Sequence, residues 1–307
     1  MAWKWWRSEK PRDFTNKYET MHVGVITCEI LRKEIKDVIR ETGVDRIFFV
    51  LPETSNPAID VIIKRVDECF SSELAEEDRH IRIKEKTIER IEKEIRENGI
   101  RDSAIIKVME LRMHDYPDKL LAEIEDGIKK MSSVVDFVLL GYGLCGSTGS
   151  EVERVIKEAD VPVVIPRDRK GEILNNCIEI ALGREKVREL QCEERGTFFM
   201  TPAGASIIKE PQVILESAIN IMAGRMNRSA AVDTPRIIKL MENHYRRVVK
   251  ICYSEADERD EEYSKTVDNF AKRFNLEIKS LKGSSKIMLE ALTKSPPRHK
   301  WQSQAKK

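Results

Sequence analysis

Short runs in which nearly every residue is apolar alternate along this chain with longer stretches in which apolar residues recur every three or four positions. "HVGVITC", "DRIFFVLP", "AIIKVMEL", "VDFVLLGYG" and "VPVVIP" belong to the first kind and predict buried strands. "EILRKEIKDVIRETG", "DKLLAEIEDGIKKM" and "SEVERVIKEA" belong to the second and predict amphipathic helices, the first stopping at Gly43. The rhythm continues with a helix through "EILNNCIEIALGREKVREL", a short strand "GTFFMT", helices around 212–224 and 234–244, strand "RRVVKICYS", helix "DEEYSKTVDNFAKRF", strand "LEIKSL" and helix "SSKIMLEALT". Strands that are apolar throughout and separated by helices imply an α/β fold, with a mostly parallel sheet covered by helices on both faces.

Three segments stand outside this rhythm. Residues 1–20 form a Trp-rich extension (Trp3, Trp5, Trp6), expected to pack on its own domain or to dock a partner. Residues 55–99 read as a helical insertion with Ile81, Ile88, Ile91 and Ile95 at helical spacing. Residues 294–307 are polar, basic and interrupted by proline, a composition that predicts a disordered tail. A single α/β domain is expected over 21–293.

Charge narrows the functional classes. The chain has 307 residues, with 54 Lys and Arg against 53 Asp and Glu, for a net charge of +1. Such balance gives no global case for nucleic acid, so none is expected as a partner. The Lys/Glu/Ile bias suits a heat-adapted or archaeal source. No apolar run approaches the roughly 18–20 residues of a membrane span, and the start lacks the apolar core of a signal peptide, so a cytoplasmic protein is expected. In that compartment the six cysteines should be mostly reduced, serving as core fillers, metal ligands or nucleophiles. Self-association stays open.

The placement of the soft side chains is informative. Ligands of open parallel sheets bind beyond the carboxyl ends of the strands. Cys28 directly follows one predicted strand, His114 a second and Cys145 a third, while Cys177 lies beyond a fourth. Any one of these cysteines alone is best read as a small core hydrophobe. As a group they can converge in one crevice, and thiolates with an imidazole suit a metal, zinc first. Four ligands would make a closed structural site, and three would leave an open position for catalysis. Glu110 and Asp115 are candidates to orient His114. Cys69 falls in the insertion, Cys192 in a polar turn and Cys252 near the end of a later strand; His22, His80, His244 and His299 carry no special reading.

"GYGLCG" adds a second question. Gly141, Gly143 and Gly146 have the spacing of a dinucleotide loop, and Asp168 is at a suitable distance to meet a ribose. The same glycines could instead let the backbone turn so that Cys145 sits at a helix N-terminus as an acidified thiol. A plain structural turn is the third option.

The ordered landmarks "VGVITCE", "MHDYP", "LLGYGLCG", "VVIPR" leading to "NCIEIALG", "GTFFMTP" and "NHYRRVVKICYSEAD" together resemble an uncharacterised family, domain of unknown function 1638, over roughly residues 22–290. The resemblance implies Cys28, His114, Cys145 and Cys177 as the shared metal ligands. Cys177 is the least secure, because the link before it, "DRKGEILNNC", is longer than in relatives and lacks their histidine. It also implies an association with corrinoid-dependent methyl transfer, hence a corrinoid or methyltransferase protein as partner. On this reading Cys145 and Cys177 are also the candidate reactive thiols, and Glu29 and Arg167, at strand mouths, contact substrate. The alternatives are an accessory or chaperone protein with a structural Cys3His site, and a nucleotide-binding enzyme using the glycine loop.

Overall fold

The computed structural model describes residues 21–44, 46–51, 82–109, 113–114, 116–208 and 244–294. The Trp-rich start, residues 55–81 of the expected insertion, the helices expected around 212–224 and 234–243, and residues 295–307 lie outside the described residues, as do Cys69, His80, Glu110, Asp115 and His299.

The first sheet has six parallel strands in the order β3-β2-β4-β1-β5-β6. They are β1 (Met21–Cys28), β2 (Arg46–Val50), β3 (Arg82–Lys86), β4 (Asp102–Met109), β5 (Phe137–Gly141) and β6 (Val163–Val164). Central β1 is buried from Val23 onward, as its unbroken apolar run requires when helices cover both faces. It pairs with β4 on one side and β5 on the other, Cys28 opposite Met109 and Thr27 opposite Gly141. The chain leaves β1 toward β2 and returns through β4. It then crosses to β5, so the ends of β4, β1 and β5 surround a topological switch point, where crevices form in open sheets.

The helices follow the apolar spacing. They are α1 (Arg32–Thr42), α2 (Ile88–Glu97), α3 (Pro117–Met131), α4 (Gly149–Glu158), α5 (Cys177–Leu182) and α6 (Arg184–Glu193), followed by α7 (Pro202–Ile208), α8 (Glu255–Arg259), α9 (Glu261–Phe274) and α10 (Lys286–Thr293). Gly43 ends α1 in the left-handed conformation at φ 67, a backbone state glycine adopts without steric cost. Among the described residues, no helix is long and apolar enough to cross a membrane.

Three local expectations are corrected. Residues 82–86 form a strand rather than the start of a helix, pairing in parallel with β2; with one apolar residue in five, "RIKEK" carries no apolar strand pattern of its own. The helix expected over 172–190 is two helices, α5 and α6, broken at Gly183 with φ 85, and residues 172–176 are not helical. Cys192 accordingly lies within α6 rather than in a turn.

The last strands do not extend the first sheet. β7 (Thr197–Met200), β8 (Arg247–Cys252) and β9 (Glu277–Lys282) form a parallel sheet of their own, ordered β7-β8-β9. Its core gathers Met200, Val248, Cys252, Tyr263, Val267, Phe270 and Phe274. Side chains of α1 tie the two sheets together. Arg32 donates to Ser206 Oγ at 3.1 Å, Lys33 pairs with Asp257 at 3.3 Å, and Ser285 bonds Asp37. Met288 and Leu292 of α10 join the first core.

Candidate metal centre

β1 delivers Cys28 as its last residue, at the start of the short turn Glu29–Leu31. His114 sits in a turn between β4 and α3, and its Nε2 is 3.5 Å from Cys28 Sγ. Cys177 is the first residue of α5, whose N-cap Asn176 accepts from the amides of Ile178 and Glu179 at 3.0 Å. The ligand atoms of Cys28, His114 and Cys177 all lie within 4.8 Å of one another, so these three are close enough to hold a metal. Cys145 stands outside this group of three but close enough to His114 and Cys177 to influence their protons. Cys28 is fully buried, and Cys177 and Cys145 are 4% and 7% exposed.

The glycine loop explains how four distant residues meet. A Cβ on Gly141 would lie 2.3 Å from Thr27 Oγ1, beside Cys28. One on Gly143 would lie 2.5 Å from the Leu174 carbonyl and 2.6 Å from the Asn176 amide, beside Cys177. One on Gly146 would lie 2.7 Å from Pro117 Cγ, three residues after His114. Each glycine thus lets the loop approach the segment carrying one of the other soft ligands. Cys145 itself adopts φ 47, a left-handed state that costs a non-glycine residue on the order of 1 kcal/mol.

This geometry separates the readings of the loop. The amides of Leu144 and Cys145 donate to the carbonyls of Leu174 and Asn175, each at 2.8 Å, so neither is available to a phosphate. Asp168 is engaged too. Its side chain is 4% exposed, pairs with Arg184 Nη1 at 2.7 Å and accepts from the amides of Lys170 and Glu172. The helix after the loop, α4, begins only at Gly149, behind a Thr148–Glu151 capping box. The thiol at a helix start is therefore Cys177, not Cys145.

Protons and charges divide unevenly over the cluster. Hydrogen bonding from Cys177 lowers the Cys28 thiol to about 6 against the effect of burial, with His114 helping. Cys177 and His114 likewise hold Cys145 well below the ordinary thiol range. Cys177, donor to both, is pushed well above it. Burial would lower His114, but the thiols of Cys145 and Cys28 outweigh it and raise the imidazole to about 11. Two thiolates thus share one imidazolium in a buried space, a negative pocket that favours a cation.

Sequence reasoning missed the residues that hold Cys177 in place. Arg184 is 6% exposed; it pairs with Asp168, with Glu172 at 2.8 Å and with Glu179 at 3.1 Å, and donates to the Ile173 carbonyl. Glu179 also receives the Asn175 amide at 2.8 Å. The signal was available, since "NCIEIALGR" puts Glu179 among apolar residues that a helix must bury. Arg167 pairs with Glu153 at 2.5 Å and donates to the Gly171 carbonyl, while Glu29 is half-buried beside Cys28. Cys252 is buried in the core of the second sheet.

Fold and donor set together define a parallel α/β protein with a buried Cys/His cluster able to hold a metal. A family model described as "Protein of unknown function (DUF1638)" matches residues 108–292, more than half of the chain, and the chain belongs to that family. The match includes His114, Cys145 and Cys177; Cys28 precedes it. Comparison with curated proteins finds no match.

Proposed function

We propose that this protein binds a metal ion, zinc first, through Cys28, His114 and Cys177, with Cys145 as the reactive thiol beside it. The observation that carries the reading is the approach of two thiols and an imidazole to within 4.8 Å at the carboxyl edge of a parallel sheet. Two sulfurs and a nitrogen are a zinc donor set, and three protein ligands with an open position are the catalytic pattern. Zinc there would supply charge that keeps a bound thiol ionised at neutral pH.

The chemistry this suits is methyl transfer to a thiol, in company with a corrinoid or methyltransferase protein in the cytoplasm. Cys28 and Cys177 would hold the ion, His114 would complete the set, and the loop carrying Cys145 would line the entry. Glu29 and Arg167, near the strand ends, remain candidates for substrate contact. Elemental analysis of protein purified without oxygen is the test. About one zinc per chain is expected in wild type and in Cys145→Ser, and little in Cys28→Ser or Cys177→Ser. Metal-free wild type overturns the reading. Methyl transfer is tested separately, by methylcobalamin demethylation in the presence of a small thiol.

The burial of all three thiols favours a second reading, a closed Cys3His site that only stabilises an accessory protein. In that case Cys145→Ser also loses its zinc, and no added thiol reaches the metal.

A further inference from the structure

Among the described residues, one buried side-chain polar atom without a hydrogen-bond partner is the hydroxyl of Tyr142, which belongs to the "GYGLCG" loop itself. Tyr142 is 1% exposed, and its ring centroid is 6.1 Å from that of His114. An O–H group in such a place is a donor without an acceptor. Leaving it so costs about 1–3 kcal/mol, and native proteins rarely leave such groups unmatched.

The surroundings say what would match it. Gly143 is locked against residues 174–176, which fixes the backbone next to Tyr142. None of the neighbouring sulfurs accepts its hydrogen. A group that enters the cluster from outside would supply that acceptor.

We infer that the Tyr142 hydroxyl donates a hydrogen bond to an anionic ligand, a small organic thiolate, that seats beside the ion held by Cys28, His114 and Cys177. This rests on the metal-binding reading and deepens it, because it makes the site open and gives it a preference for acceptors over cations. Tyr142 is then a ligand-binding residue, and it confers the selectivity that the soft donors alone lack.

The experiment uses the full chain loaded with Co²⁺, whose absorbance reports sulfur coordination, titrated with 2-mercaptoethanol. Wild type should take up about one Co²⁺ and develop a further sulfur-to-cobalt band that saturates with thiol. Tyr142→Phe should bind Co²⁺ equally but need roughly 10- to 100-fold more thiol, the range for a hydrogen bond to a charged acceptor. In wild type, thiol binding should also perturb the near-ultraviolet tyrosine spectrum, a readout independent of whether the variant folds. Coincident titration curves overturn the inference while leaving metal binding intact, as does a wild-type tyrosine spectrum that thiol leaves unchanged. Wild type that takes up no Co²⁺ overturns both.

Discussion

Tyr253, at the end of the second sheet's central strand, donates its hydroxyl hydrogen to Oε1 of Glu34, on the helix that follows Cys28, at 2.5 Å. The two sheets therefore meet through a buried carboxyl next to the thiol cluster. Glu34 is completely buried, and its Oε2 has no partner. Burial raises its pKa from 4.5 to about 8; the Tyr253 bond opposes the rise, and the charges of Asp37 and Cys28 add to it.

Stability should accordingly fall as pH rises from near 4.5 toward about 8. In that window the native carboxyl keeps a proton that the unfolded chain has lost, so the native state binds more protons and alkali favours unfolding. At about 1.4 kcal/mol per pKa unit the full effect is on the order of 5 kcal/mol. Glu34→Gln, which still accepts from Tyr253, should flatten this slope. Urea titrations with chelator present, run at several pH values on both proteins, check it; parallel slopes would refute it.

Gly143→Ala should destabilise by about 1–3 kcal/mol or more, because its Cβ would fall 2.5 Å from a backbone oxygen. It should also weaken metal retention, since the displaced segment leads into Cys177. Gly149→Ala is the control. Nothing lies within 4 Å of that position, and the change should be neutral or stabilise by about 0.4–1 kcal/mol. Thermal melts of the pair decide it.

Arg184→Met should cost about 3–5 kcal/mol by leaving Asp168 and Glu179 buried without their cation. Denaturant unfolding measures the loss. Adding Asp168→Asn and Glu179→Gln should recover part of it, and failure to recover would mean that packing rather than charge dominates.

Among the described thiols, Cys192 should react first with iodoacetamide in the native protein, since it is the exposed one. Cys28, Cys145, Cys177 and Cys252 are buried, and Cys28 and Cys145 should stay protected despite their thiolate character. Mass spectrometry of native digests, with time, gives the order.

Much of this was legible in the sequence. Near-continuous apolar runs gave the buried parallel strands, and the rule that sites gather beyond strand ends brought Cys28, His114, Cys145 and Cys177 into one neighbourhood. The split into two sheets was not legible, because the pattern of "RVVKIC" says that it is buried but not which strand lies beside it. Nor was the return of residues 173–176 along the glycine loop, which rests on backbone hydrogen bonds that leave no mark on side-chain periodicity. The polar partners Glu34 and Arg184 were hidden for a related reason: on a helix a buried ionisable residue reads as one more surface charge until its partner is seen.

Cys28 is made early and its companions late. During synthesis at about 5–20 residues per second, on the order of ten seconds separates the emergence of the first strand from that of Cys177. No ion can be captured in final form until then. Any metal loading would thus wait for synthesis past Cys177, and a product stalled before that point would carry an unclaimed cysteine that quality-control proteases and oxidants could find.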